Sequence, residues 1–135
     1  MKILGIDYGE ARIGMAISDA LGFLATPLET ICETDREKQL EKVADAAKKN
    51  GAEKIVVGLP KHLDGTIGHR AVYTEEFAKD LFKRTNIPYV MWDERLTSTQ
   101  AHRILEMGGV SGKKRKTKVD KIAAVIILQG YLDSI

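Results

Sequence analysis

The chain has 135 residues, of which 44% are hydrophobic and 30% charged, and its formal net charge at pH 7 is +2. This length and hydrophobic fraction predict a single globular domain over residues 1–135. The small net charge excludes capture of nucleic acid by overall charge, and the single cysteine excludes an internal disulfide. The longest uncharged apolar stretch, residues 122–128, is too short to span a bilayer, and no signal-peptide pattern is found. We therefore expect a cytoplasmic protein without a membrane partner.

The first predicted elements are three strands joined by hairpins, over residues 2–8, 12–18 and 23–32. The first predicted strand carries Asp7 near its end, and Gly5 and Gly9 lie two residues to either side of this acid. Because glycine lacks a Cβ, a phosphate or a metal ion would have room beside this carboxylate. The pattern is typical of an acid that holds a cation. Asp beside Gly is also a common turn former, and sugar kinases and actin-like ATPases use a similar turn.

A capping pattern marks the first helix. Thr34 is the predicted N-cap, Glu37 reaches back to it, and Asn50 and Gly51 end the helix. A strand over residues 54–59 follows and leads into a polar loop over residues 60–66. Lys61 in this loop is a candidate phosphate contact, and the Asp64-Gly65 pair fits either the site or a simple turn.

The second helix is predicted over residues 69–84, with Tyr73 and Phe77 among its core residues. A strand over residues 88–92 then ends in Asp93, Glu94 and Arg95. Paired acids at a strand-to-helix junction are costly to bury without partners, so one of them is a candidate metal ligand. Adjacent strand residues point to opposite faces of the sheet, so Asp93 and Glu94 cannot both bind one ion in a regular strand. Strand parity alone does not decide which of the two is the ligand. The alternative is a salt bridge to Arg95 with helix capping.

The last third of the chain combines a basic run with one acid. A helix is predicted to begin at Thr97 and to end at Gly108-Gly109, and the final helix to cover residues 118–133. Residues 113–121 between them predict a mobile basic loop that neutralises phosphates, with a solvated surface loop as the alternative. Asp120 is either a metal ligand near the first strand or a helix-capping acid paired with Thr117. The basic residues proposed to contact nucleic acid here are Lys113, Lys114, Arg115, Lys116 and Lys118.

This order of elements predicts an α/β fold. Its mixed five-stranded sheet has three antiparallel, hairpin-linked strands, then parallel strands joined by crossovers, with flanking helices. Ligands of such sheets collect at the carboxyl ends of parallel strands. Carboxylates there, without clustered cysteine or histidine, suit Mg²⁺ or Mn²⁺. Phosphodiester hydrolysis by metal-activated water is the chemistry that fits this ligand set.

Five ordered motifs closely resemble the YqgF (RuvX) family, whose members are described as nucleases of pre-16S rRNA or as Holliday junction resolvases. The motifs span essentially the whole chain: residues 5–9, residues 12–14, residues 56–60 with Asp64-Gly65, residues 93–97, and residues 119–120 with Ala123-Ala124. The resemblance implies a ribonuclease H-like fold. It also implies Asp7, Glu94 and Asp120 as the metal-binding and catalytic acids. The related RuvC pattern has a fourth acid, roughly where this chain has Ala124.

The sequence thus predicts a Mg²⁺- or Mn²⁺-dependent endonuclease acting on structured nucleic acid. Arg12 and Arg95 are expected to position phosphate groups. The resemblance implies precursor rRNA or branched DNA as the substrate, and ribosomal or RNA-processing partners in the first case. A symmetric homodimer is expected only for junction cleavage. A non-catalytic RNA-binding assembly factor and a sugar-kinase-like phosphotransferase are the alternatives from other classes.

Overall fold

A computed structural model describes residues 1–59, 68–93 and 112–135, with side chains in the last range from residue 122 onward. The strands are β1 (Ile3–Asp7), β2 (Arg12–Ser18), β3 (Ala25–Pro27), β4 (Ile31–Cys32), β5 (Lys54–Leu59) and β6 (Tyr89–Asp93). The helices within these ranges are α1 (Arg36–Lys49), α2 (His69–Thr85) and α3 (Gly112–Ser134). The helix predicted from Thr97 lies outside the described residues.

The strands form one mixed sheet in the order β3-β2-β1-β5-β6, with β4 also paired to β2. The pairs β1–β2, β2–β3 and β2–β4 are antiparallel, whereas β1–β5 and β5–β6 are parallel. The predicted division into hairpin-linked and crossover-linked strands is therefore confirmed. The carboxyl ends of β1, β5 and β6 lie together at one edge of the sheet.

The described residues form a sheet of six strands and not the predicted five, because the third predicted strand divides into β3 and β4. Ala16 pairs with Pro27, but Ile13 pairs with Ile31, so the two residues between these pairs on β2 face three on the other segment. The extra residue lies between the two paired segments and interrupts the ladder, as a β-bulge does. A continuous strand over residues 23–32 was a wrong prediction for this reason.

Two layers of helix cover the sheet. Helices α1 and α2 pack on one face, here called the α1/α2 face, over a cluster that includes Leu4, Ile6, Leu40, Val57, Phe77 and Leu81. Helix α3 packs on the opposite face, here called the α3 face, over Ile3, Ala16, Val56, Ala124, Leu128 and Tyr131. Successive strand residues alternate between these faces, as β geometry requires.

Two helix details differ from prediction. Asp35, and not Thr34, caps α1, because its carboxylate accepts from the backbone N–H of Lys38. Tyr73 is 48% exposed, whereas Thr74 is buried on α2 and donates its hydroxyl to the carbonyl of Arg70. The apolar spacing placed Tyr73 and Phe77 on one helix face, but only Phe77 faces the sheet.

Helix α3 begins at Gly112, six residues before its predicted start. The basic run is consequently the first part of a helix and not a loop, since Lys and Arg are good helix formers. Thr117 and Asp120 lie inside this helix, so they are not its N-terminal capping pair.

Candidate active site at the carboxyl end of β1

Asp7 is the last residue of β1 and lies half-buried at the carboxyl edge of the sheet. It pairs with Gly14 of β2. Strand alternation places Asp7 on the same face as Ile3 and Gly5, and Ile3 belongs to the cluster beneath α3. The structure therefore presents this carboxylate on the α3 face of the sheet.

Gly5 brings α3 into close contact with β1. A Cβ at this position would lie 2.7 Å from the Cβ of Leu128 and 3.3 Å from the carbonyl oxygen of Ala124. The glycine thus makes room for a helix, whereas the sequence predicted room for a ligand. Ala124 is fully buried in this contact, so a carboxylate at position 124 would have no space.

Helix α3 runs antiparallel to β1. Near its end, the hydroxyl of Tyr131 contacts the ammonium of Lys54 at the start of β5, at 2.5 Å. Following the helix backwards therefore leads towards the carboxyl edge of the sheet. Position 120 lies one turn before Ala124, about 6 Å along the helix axis, and Asp7 lies two residues beyond Gly5, about 7 Å along the strand. The backbone at position 120 and Asp7 thus lie at the same end of this contact.

Asp93 has the opposite placement. It ends β6 in register with Leu59 of β5, at the same edge as Asp7. It shares strand parity with Tyr89 and Met91, which pack in the cluster beneath α1 and α2. Asp7 and Asp93 therefore lie on opposite faces of the sheet.

The turn between β1 and β2 is fixed by backbone crowding and by one buried amide. A Cβ on Gly9 would lie 2.4 Å from the carbonyl oxygen of Arg12, so a side chain at this position requires the turn to move. Gln39 of α1 is 1% exposed, and its amide nitrogen donates to the carbonyl oxygens of Glu10, at 2.8 Å, and Glu33, at 2.6 Å. Glu33 in turn donates its backbone N–H to the carbonyl of Ala11. Helix α1 thereby anchors the turn that follows Asp7.

Sequence reasoning missed Gln39, and its removal is expected to loosen the site. Gln39→Leu keeps the helix but leaves two partly buried carbonyl oxygens without this donor, which should lower the free energy of unfolding by about 1–3 kcal/mol. Urea unfolding measures this loss, with Glu41→Leu on the exposed side of α1 as the control. Equal stability of the two variants would contradict an anchoring role for Gln39.

A cleft of about 140 Å³ opens beside Asp7, and its walls include Tyr8, Arg12 and Arg70. Tyr8 is half-buried, with its ring centroid 4.5 Å from that of Phe77, and burial raises the pKa of its hydroxyl above 10.0. Arg12, which was predicted to contact phosphate, is one of the residues that line this cleft. Arg70 was not predicted. A cation in the first turn of a helix opposes the helix dipole, and this is the sequence signal that could have identified it.

Several predicted site residues lie outside the described part of the chain: Lys61, Glu94 and Arg95. The other predicted residues lie in the first part of α3, where the structure describes the backbone but not the side chains: Lys113, Lys114, Arg115, Lys116, Lys118 and Asp120. Among the described residues, no three His, Cys, Asp or Glu side chains form a cluster that could hold a metal ion. Of the three predicted metal ligands, Asp7 is thus the one whose side-chain surroundings are described. A hard carboxylate at the exposed edge of the sheet suits Mg²⁺ or Mn²⁺.

The family model described as RuvX, Holliday junction resolvase, matches residues 1–134. The chain belongs to the RuvX family. A protein of Shouchella clausii (strain KSM-K16), named "Putative pre-16S rRNA nuclease", is 49% identical over 135 residues, which are 98% of this chain and 95% of the relative. Membership of the RuvX family confirms the resemblance seen in the five sequence motifs.

Solved structures confirm the fold of this RuvX-family chain. The Fowlpox virus resolvase in complex with Holliday junction DNA has a TM-score of 0.59 and 16% identity, covering 99% of this chain and 98% of the resolvase. T. thermophilus RuvC in complex with Holliday junction substrate has a TM-score of 0.58 and 15% identity, covering 99% and 94%. The predicted ribonuclease H-like class is therefore confirmed. No helix within the described ranges of this family member is long and apolar enough to cross a membrane.

Proposed function

We propose that this protein is a divalent-metal-dependent endonuclease that cleaves structured nucleic acid, with pre-16S rRNA as its substrate. The observation that supports this most is Asp7 at the carboxyl edge of β1, on the face where α3 brings position 120 to the same end of the sheet. The RuvX family and the name of the S. clausii relative support the nuclease class over a phosphotransferase. The name of this relative also supplies the RNA substrate of the proposal.

Asp7, Glu94 and Asp120 are the residues that would hold the metal. A bound Mg²⁺ or Mn²⁺ would supply an activated water and stabilise the leaving oxygen of the phosphodiester. The chain's own contribution would be to bring these carboxylates together at one edge of the sheet, where β1 ends in Asp7 and where α3 carries position 120. The close packing of α3 on Gly5 fixes the helix that carries Asp120 against the strand that carries Asp7.

Strand parity supports Glu94 over Asp93 as the second acid. Asp93 shares the α1/α2 face with Met91, whereas Asp7 lies on the α3 face. A ligand for the same ion must come from a residue of the other parity, and Glu94 is the acid that follows. The resemblance assigns this residue independently.

Paired substitutions test this choice. We expect Glu94→Gln to lower the cleavage rate about 10²-fold or more, because a metal ligand is lost, and Asp93→Asn to keep the rate within about threefold of the wild type. Initial rates on one labelled substrate at saturating Mg²⁺ give the comparison. The reverse order of the two rates would assign the ligand to Asp93.

Basic residues on both sides of the acids would hold the phosphates. The first part of α3, with Lys113, Lys114, Arg115, Lys116 and Lys118, would form a helical backbone clamp. Arg12 lines the cleft beside Asp7 and would position a phosphate there, and we assign the same role to Lys61 and Arg95. Ribosomal or RNA-processing partners in the cytoplasm belong to the same proposal.

The substrate is tested with precursor 16S rRNA fragments and four-way DNA junctions of matched length, each with Mg²⁺, Mn²⁺ or a chelator. Metal-dependent cleavage of the RNA is the expected result. Preferential cleavage of the junction would assign the protein to DNA recombination instead of rRNA processing. Symmetric cutting of two strands requires a homodimer, which sedimentation would detect. Salt-sensitive binding without cleavage in the presence of either metal would show that the protein is an RNA-binding assembly factor and not a nuclease.

A further inference from the structure

We infer that Arg70, together with Arg12, forms a phosphate subsite on the α2 side of Asp7, which binds the phosphodiester backbone of the substrate. This inference rests on the proposed function and extends it. The subsite is the cleft of about 140 Å³ that follows the carboxyl end of β1. Its floor is the Gly9–Arg12 turn and its outer wall is the first turn of α2.

Both arginines reach this cleft from fixed elements. Arg12 opens β2 in register with Cys32 of β4. Arg70 is the second residue of α2, whose core residues Ala71 and Phe77 are buried against the sheet. A smaller cavity between Tyr8, Tyr73 and Thr74 continues the cleft and is also lined by Arg70. Arg70 therefore stands where the two spaces join.

The start of α2 is arranged for an anion. Gly68 occupies the N-cap position without a side chain that could accept from the first backbone N–H groups, and the first turn contains no acidic residue. Backbone N–H groups at a helix start favour negative charge, and Arg70 adds a guanidinium that can bind a phosphate through two N–H groups. In contrast, α1 has an aspartate at its N-cap and Glu37 in its first turn.

The charges of the cleft make phosphate binding depend on Asp7. The two arginines are opposed by Asp7 and Glu10, so the formal charges of these lining residues cancel. Loss of the Asp7 charge, through a bound cation or through substitution, leaves the cleft positive. Phosphate capture at Arg70 is thereby coupled to the site where cleavage is proposed.

The subsite lies on the opposite side of the acids from the basic part of α3. The cleft opens at the carboxyl edge of the sheet, and Arg70 enters it from α2, which packs on the α1/α2 face, whereas α3 covers the other face. The backbone clamp and Arg70 would therefore hold the substrate from two sides, with Asp7 between them.

Binding of a fluorescein-labelled RNA hairpin tests the subsite, measured by anisotropy at several KCl concentrations with a chelator present. The background is Asp7→Asn, which carries no charge at position 7 and should not cleave. Adding Arg70→Gln should weaken binding about 3- to 10-fold at 0.1 M salt and lower the slope of log K against log salt by about 0.7–0.9. Arg70→Lys should retain the slope. Lys79→Gln, an exposed cation on the same helix, should change neither quantity.

Arg70→Gln and its control Lys79→Gln are also measured in the wild-type background with chelator, which repeats the test without the Asp7 change. Thermal unfolding verifies that each variant is folded. An unchanged slope and affinity for Arg70→Gln would overturn the subsite, whatever the cleavage assay shows. A reduced slope in a protein that cleaves neither RNA nor DNA would retain the subsite and overturn the proposed nuclease.

Discussion

Asp7→Asn is expected to abolish cleavage while leaving the fold intact. Asn has nearly the same size as Asp but lacks the charge that holds a divalent cation, so about 3–5 kcal/mol of transition-state stabilisation should be lost. Since each 1.36 kcal/mol is tenfold in rate, the rate should fall about 10²- to 10⁴-fold. Single-turnover cleavage of the preferred substrate, with Mg²⁺ and with Mn²⁺, is the measurement.

The matched control is Asp45→Asn, the same substitution at an exposed position of α1. It should cleave at the wild-type rate. Nucleic-acid binding by Asp7→Asn should be retained or strengthened, because the lost group is an acid that opposes the arginines of the cleft and not a phosphate contact. Wild-type cleavage by Asp7→Asn, or cleavage by the wild type in excess chelator, would remove Asp7 and the metal from the mechanism.

Gly5→Ala should cause a large loss of stability for a change of one methyl group. The added Cβ would lie 2.7 Å from the Cβ of Leu128, which is held on a helix and cannot rotate away. Overpacking of this kind costs about 1–3 kcal/mol, and the melting temperature should fall by roughly 3–12 °C. Thermal unfolding followed by circular dichroism gives the shift.

Gly130→Ala is the matched control on the other side of the same interface. Its Cβ would lie 3.4 Å from the indole nitrogen of Trp92, which is an ordinary contact, and alanine favours a helix over glycine by up to about 1 kcal/mol. This variant should be as stable as the wild type or more stable. Equal destabilisation by both changes would show that the Gly5 contact has no special role.

Gly5→Ala should also reduce cleavage by more than its stability loss explains. Pushing α3 away from β1 moves position 120 away from Asp7, because both lie at the same end of this contact. Rates measured well below the melting temperature of each variant separate this displacement from unfolding. Full activity of folded Gly5→Ala would argue against Asp120 as a partner of Asp7.

Elements with one clear local signal were predictable from the sequence. The strands Arg12–Ser18 and Lys54–Leu59 have the predicted bounds, and α1 ends at Lys49 with Asn50 as its C-cap and Gly51 in a left-handed conformation, as the Asn-Gly pair indicates. Parallel and antiparallel pairing followed from the lengths of the connections. The family resemblance added the fold and the three acids, which composition and spacing alone did not determine.

Tertiary packing decided the rest, because those features depend on residues far apart in the chain. Gly5 was predicted to make room for a ligand, but residues more than 100 positions later occupy that space. Gln39 and Arg70 each belong to an ordinary helical pattern, and their roles arise only where α1 and α2 meet the turn after β1. The sequence by itself determined β2, β5, the end of α1 and the position of Asp7 at the end of the first strand. The packing of helices on the two faces of the sheet decided which side chains share the space around that carboxylate, since contacts between distant residues leave no periodic signal in the chain.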